Sequence, residues 1–317
     1  MLRLFNIDKG LIHELLFEAE DLDARIRSAH WIDAHDPDER EKDLLQTLLQ
    51  TNLPEADDFE EIEISARCFV DQAGIHVHAM FLATEDGRHK TESVACILQT
   101  NRLITIRDED LPDFRLLRMR ARRGQVESHS PEELLVTLLE QKVENHADTL
   151  EDIHRQLETA SYLVLEDEDA DLEDAISKLA KLEDSNGKIR LCLMDTQRDI
   201  SFLLRHLRNR QEHAETLREI MRDVETLMSH TTFLFEKINF LMDSTQGFIN
   251  IEQNQIIKIF SIAAVVFLPP TLVASMYGMN FAFMPELQWK LGYPWAIMLM
   301  ILSGIAPYAY FKRKGWL

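Results

Sequence analysis

Between two apolar runs near the end of the chain stands SMYGMNFAFMPELQW, residues 275–289. Gly278, Met279 and Asn280 interrupt it with neutral polar chemistry. Glycine lets a backbone leave a helix through φ > 0, the last helical carbonyls are unpaired acceptors, and the Asn280 amide adds an oxygen. Such a turn is a helix cap, and the same neutral oxygens can face a cation. The connection that follows is rich in aromatics and carries one acid, Glu286, and one base, Lys290.

Other residues with chemical potential are fewer. His76 and His78 in GIHVHAM would share one strand face and could hold a metal, but no third ligand stands at a recognisable spacing. Cys68, Cys96 and Cys192 are far apart and contain no CxxC pair, which points to reduced cytosolic thiols. The chain has no P-loop, GxSxG, HExxH or GxGxxG pattern, so ATP-driven transport and the common hydrolase chemistries have no anchor.

The elements that must position the Gly-Met-Asn turn are two apolar segments. Residues 259–276, IFSIAAVVFLPPTLVASM, carry no charge and as a helix cover about 27 Å, close to a bilayer's hydrocarbon thickness. Pro269 and Pro270 are tolerable there because neighbours in a membrane can satisfy the freed backbone groups. Residues 293–311, YPWAIMLMILSGIAPYAYF, follow with tyrosine and tryptophan at their ends, as interfacial anchors. Lys258 precedes the first run and Lys312, Arg313 and Lys314 follow the second. By the positive-inside rule both termini are cytoplasmic and only the short connection faces outward. The N-terminus, MLRLFNIDKG, is too charged and too short in apolar residues for a leader peptide. The net charge of −21 on 317 residues disfavours nucleic acid as a partner and favours cations or a solvated surface.

The part before the spans reads in two styles. Residues 62–70, 74–83, 92–99 and 102–107 are β-rich segments separated by turn signals, and Asp36-Pro37 is expected to cap a helix over the leucines that follow, which together make an α/β domain. From Ser130-Pro131 onward the pattern is helical, with the acidic run 166–174 at the tip of a long hairpin. Then Leu217, Ile220, Val224, Leu227, Thr231, Leu234, Ile238, Leu241, Thr245 and Phe248 repeat every 3.5 residues. A neighbouring register takes over at Asn254, Ile257, Ser261, Ala264, Leu268, Thr271 and Ser275. One very long helix is the simplest account of both, coiled-coil-like in its lower half. A packed intramolecular bundle could explain that half alone, but not the small and hydroxylated Ser261, Ala264, Thr271 and Ser275 on one face above. Two spans cannot enclose a pathway, so a pore implies a cyclic homo-oligomer.

With YGMNFAFMPEL after a long helix, a second span and the ending YFKRKGWL, the chain resembles the CorA magnesium channels over its whole length. FINIEQNQIIKIF and VFLPPTLVAS bring it nearest to those of Gram-negative bacteria. The resemblance implies a homopentamer in the lipid of the bacterial inner membrane, passing hydrated Mg²⁺, with Co²⁺ and Ni²⁺ as further ions, and needing no organic cofactor. It implies a pore lining of Asn254, Ile257, Phe260, Ala264, Leu268 and Thr271, where the heptad count prefers Ser261 to Phe260. Gly278, Met279 and Asn280 then form the entrance, with Glu286 in the outer loop. It also implies a cytosolic regulatory Mg²⁺ bound between subunits, to which Glu219 and Asp223 on the stalk would contribute; the family pattern has Asp where this chain has Glu219.

The resulting layout is an α/β cytoplasmic domain over 1–125, a helical hairpin over 126–210 and a stalk continuing into the first span over 211–277. The motif and outer loop take 278–292, and the second span and basic tail 293–317. A zinc transporter of the same superfamily and a membrane-anchored enzyme are the competing readings.

Overall fold

The computed structural model describes residues 1–16, 22–50, 53, 67–85, 87–167, 170–207, 211–280 and 284–316. They divide into two units, Met1–Met242 and Asp243–Leu317.

The first unit is built on a seven-stranded sheet: β1 (Leu2–Asp8), β2 (Leu11–Leu15), β3 (Trp31–His35), β4 (Cys68–Val70), β5 (Ile75–Glu85), β6 (Arg88–Leu98) and β7 (Leu103–Arg107), in the order β2-β1-β3-β7-β6-β5-β4. Its neighbours pair antiparallel except β3 and β7, which run parallel with Asp33 opposite Thr105. Alternate side chains go to opposite faces. Leu4, Ile32, Ile97 and Ile104 pack with α1 (Leu22–Ser28) and α2 (Glu39–Leu49). Phe5, Trp31, Phe81 and Cys96 pack with α3 (Pro112–Arg122), α4 (Pro131–Leu165) and α5 (Leu172–His206).

Three strands escaped the sequence reading. The segment MLRLFNIDKG carries β1. It turns at Lys9 and Gly10, both at positive φ, directly into β2. The two-residue turn is the twist-matching kind, but Lys-Gly lacks the Asn or Asp that usually announces it. β3 is a short run flanked by charge. The α2 cap also moves: Asp38, not Asp36, accepts from the Glu41 N–H at 2.8 Å, while Glu41 Oε2 returns to the Asp38 N–H. Asp36 instead sits at positive φ. The reciprocal bond with Glu41 decides between the two aspartates. Ser130 and Pro131 cap α4 as expected. The strand expected over 62–70 lies partly outside the described residues, as do two positions of the acidic run.

Helix α6 runs continuously over Gln211–Tyr277. Leu217, Ile220, Val224, Thr231, Leu234, Ile238, Leu241 and Thr245 are its buried stripe, and the first unit's core takes in the apolar members. Asn186 of α5 donates to the Thr231 carbonyl at 2.9 Å, and Arg190 to Thr232 Oγ1. The lower half of α6 therefore packs within its own chain, which favours the bundle alternative over a coiled coil. Phe248 is exposed, so the buried repeat ends at Thr245.

Two polar knots hold the helices to the sheet. Asp33, fully buried on β3, accepts from Arg107, from Arg118 at 2.8 Å and from Thr105, whose hydroxyl also takes the Trp31 indole N–H. Further along the same face of the sheet Asp195 of α5 accepts from Arg67 at 2.9 Å and from the Met80 N–H at 2.6 Å. Lys142 of α4, completely buried, brings Nζ to 3.9 Å from Asp195 and lies over the Phe81 ring. One turn on, Asp199 meets the Cys68 thiol at 3.4 Å. Burial and then the Asp195 charge push its carboxyl up to about 8, against attraction from Lys142 and Arg67. Burial, followed by Lys142, pushes His146 down to about 3.

A folded-state pKa raised above the unfolded value means stability present at low pH and lost as pH rises through the folded value. Asp199 should therefore drain stability up to about pH 8, whereas His146 acts with the opposite sign and only below its ordinary 6.5. The interval from about 6.5 to 8 isolates the carboxyl. Thermal unfolding should fall with pH across it, and Asp199→Asn should flatten that slope; an unchanged slope would mean the carboxyl is ionised throughout.

Candidate functional site

In the second unit α6 and α7 (Gly292–Arg313) form a helix pair, each long and apolar enough to cross a membrane. Their most apolar windows are almost wholly exposed, unlike the core helices of a soluble protein. Ile262, Ala263, Val266, Pro269, Pro270 and Val273 are the covered side of α6. α7 approaches there at Gly304, where a Cβ would stand 3.3 Å from Pro270 Cγ and 3.6 Å from the Val266 carbonyl. Small residues at such a crossing let two backbones come close.

The opposite side carries the residues expected to line a pathway. Asn254, Ile257, Phe260, Ser261, Ala264, Leu268, Thr271 and Ser275 are all exposed, so Phe260 and Ser261 are equivalent on this measure. Leu268, 65% exposed, is the bulkiest aliphatic side chain of this stripe near the prolines. Because Pro269 and Pro270 have no N–H, the carbonyls of Val265 and Val266 lose their helical donors. Thr271 donates its hydroxyl to the Phe267 carbonyl at 2.8 Å, supporting the turn just beyond them.

The helix ends without the left-handed glycine that the sequence implied. Gly278 is not at positive φ; its N–H continues the ladder to Ala274 O at 2.9 Å, and Met279 closes a tighter bond to Met276 O. A Cβ at Gly278 would lie 3.2 Å from the carbonyl of Ala274, in the preceding helical turn, and the residue is exposed. Asn280 follows, exposed, and no hydrogen bond or ion pair engages its side chain among the described residues. Residues 281–283 lie outside the description. Pro285–Gln288 form a 3₁₀ turn whose Glu286 is exposed. The Glu286 carbonyl accepts from Trp289 and stands against Gly292, leaving no room there for a side chain.

Glu219 and Asp223 are exposed on the lower part of α6. Asp223 shares a cavity of about 260 Å³ with Glu140 and Glu144 of α4. Burial raises the Glu140 carboxyl, and Glu144, Asp223 and Glu219 raise it further. The two α4 acids, one helical turn apart on the face toward α6, escaped the sequence reading; their four-residue spacing was the available signal. Among the described residues no group of three or more His, Cys, Asp or Glu is placed to hold a metal within one chain. His76 is buried and paired with Asp71 at 2.9 Å, its ring stacked on Phe69, and His78 lies edge-on to the same ring. These histidines belong to the sheet's packing.

The family model for CorA-like Mg²⁺ transporter proteins matches residues 27–313. The chain belongs to that family. The magnesium transport protein CorA of Pectobacterium atrosepticum is 49% identical over the full length of both chains, and that of Escherichia coli K12 48% over the full length of both. The fold agrees with the complete CorA magnesium transporter of Methanocaldococcus jannaschii, at a TM-score of 0.76 and 20% identity over 100% of this chain and 99% of that one. Full-length CmaX matches at a TM-score of 0.67 and 18% identity, covering 98% and 96%. Membership in CorA puts the chain among membrane transport proteins and sets aside the anchored-enzyme reading.

If Gly304 is the contact that seats α7 on α6, Gly304→Leu should overpack the crossing by about 1–3 kcal/mol and lower the thermal midpoint of detergent-solubilised protein. Gly247→Leu, exposed within α6 with open space around it and no positive φ, is the comparison that should not lower the midpoint.

Proposed function

We propose that the chain assembles as a homopentameric channel of the bacterial inner membrane, with both termini cytoplasmic, that admits hydrated Mg²⁺. The observation that carries this reading is the division of α6 into a side covered by α7 and an opposite, uncovered stripe ending at Gly-Met-Asn. Cyclic copies would turn that stripe inward, with Asn254, Ile257, Phe260 or Ser261, Ala264, Leu268 and Thr271 along the pathway. Mg²⁺ gives up water reluctantly and is commonly held through its water shell. A ring of Asn280 amide oxygens and last-turn carbonyls offers neutral acceptors to those waters, and neutral acceptors release the ion where carboxylates would retain it. Exposed Glu286 concentrates cations near the mouth by charge.

Closure comes from the cytosolic side in this reading. Asp223 lines one cavity with Glu140 and Glu144, and Glu219 adds its charge to Glu140. Arg120, at 3.8 Å from Glu144, offsets only part of a repulsion that ion binding would relieve. A neighbouring subunit would complete the ligand set. Co²⁺ and Ni²⁺ are further permeant ions. The magnesium-named relatives at 48–49% identity support Mg²⁺ over zinc as the principal cargo.

Three measurements test the reading. Rescue of a magnesium-auxotrophic strain, scored beside zinc efflux, should favour magnesium uptake. In liposomes, Asn280→Ala pentamers should lose Mg²⁺ uptake by at least about tenfold, since removing a charge-facing acceptor typically costs about 1.5–3 kcal/mol. Near-normal uptake would leave Gly-Met-Asn a helix end and nothing more. Leu268→Ser should raise basal flux by wetting a dry constriction. A fall in flux from an intact pentamer would place the gate elsewhere.

A further inference from the structure

The chain is strongly acidic, yet one concave region of the first unit is dominated by guanidinium groups. Arg3 of β1, Arg115, Arg118 and Arg122 of α3, and Arg123 at its end line a cavity of about 430 Å³, together with Asp110. Arg115, Arg118 and Arg122 recur at intervals of three and four, so they share one helix face, where like charges repel one another. Their own carboxylates offset only part of this. Asp110 takes Arg118 at 3.0 Å and Arg115 at 3.7 Å, Asp33 takes Arg118 at 2.8 Å, and Glu14 takes Arg122 at 2.6 Å. Arg107 also spends its charge on Asp33. Arg3 and Arg123 have no side-chain hydrogen bond or ion pair among the described residues.

Arg118 is nearly buried and held from two sides, so it is fixed before any ligand arrives. Arg115, Arg122 and Arg123 are exposed around it. A rigid fork surrounded by adaptable ones, with positive charge in excess, suits an anion that offers many oxygens in a small volume. The volume lies in the ordinary range of small-molecule sites, roughly 300–1,000 Å³. We propose that this cavity binds a soluble oligophosphate, such as the phosphate chain of a nucleoside triphosphate, in its Mg²⁺-free form. A lipid phosphodiester carries a single charge on a flat surface and would leave most of these guanidiniums unanswered. A carboxylate-bearing segment of another chain spreads its charge too widely to fill one cavity.

The preference for the Mg²⁺-free form follows from charge. Mg²⁺ binds through phosphate oxygens, and once bound it withdraws both charge and acceptors from the arginines. Occupancy would therefore rise as free Mg²⁺ falls. The use of such a signal rests on the Mg²⁺-channel reading above; the binding does not.

The full-length protein in detergent, titrated calorimetrically with sodium tripolyphosphate in EDTA, should bind one equivalent per chain. Binding should weaken as salt is raised. Tripolyphosphate preloaded with Mg²⁺ should bind at least about tenfold more weakly, because charge-assisted hydrogen bonds are lost. Arg3→Ala and Arg123→Ala, which spare the Asp33 knot, should each weaken binding by about tenfold while thermal stability and Mg²⁺ uptake without the anion stay unchanged. Three results would overturn the proposal. These are the absence of saturable binding, equal affinity for the Mg²⁺ complex, or variants that change only oligomer size or only retention on phosphatidylglycerol vesicles.

Discussion

Helix α6 must satisfy two solvents along one axis of hydrogen bonds, and the rest of the chain is arranged around that constraint. A helix gains little from propensity alone and depends on what covers its apolar stripe. From Leu217 to Leu241 the cover is α4 and α5, whose leucines meet it inside the first unit's core. Beyond, α7 covers a different side, through Ile262, Val266 and Pro270. Beyond Gly247, where the stripe changes, Asn254, Ala264 and Leu268 are exposed among the described residues.

The same constraint explains why so much charge is buried in the α/β part. Helices α4 and α5 can brace α6 only if the sheet fixes them, and apolar packing alone permits sliding. Asp195 ties Arg67, the Met80 backbone and Lys142 into one group spanning sheet and both helices. Asp33 does the same for α3 through Arg118 and for the parallel β3–β7 pair through Arg107 and Thr105. Buried ion pairs add little net stability, but losing one partner strands the other charge, so they are intolerant of shifted register.

Much of this was legible in the sequence because periodicity is a direct image of burial. The 3.5-residue stripe from Leu217 to Thr245 is the stripe that is buried, and the charge-free runs are the exposed apolar helices of the second unit. What the stripe could not disclose is who covers it, since a coiled coil and an intramolecular bundle demand the same spacing. β1 and β3 were hidden because short strands beside charged residues lack contrast. The α2 cap was ambiguous because Asp36 and Asp38 both precede a helix, and only the reciprocal bond of Glu41 separates them. The end of α6 misled for a different reason. Glycine after a helix commonly signals left-handed backbone, yet Gly278 continues the helical ladder by donating to the Ala274 carbonyl. The arginines of α3 were visible as letters, but their convergence with Arg3 required the fold.

Pro269 and Pro270 give α6 a mechanical character that a uniform helix would lack. Two consecutive missing donors remove the springs that tie this turn to the one below, while the pyrrolidine rings stiffen the backbone that remains. Gly304 of α7 lies against this same turn at Val266 and Pro270, and the Thr271 hydroxyl holds the Phe267 carbonyl just beyond it. The carbonyls of Val265 and Val266, left without helical donors, make this turn, just before Leu268, the place where α6 bends at least cost. In the ring proposed above, a small tilt at that joint would change an aperture without unwinding the helix.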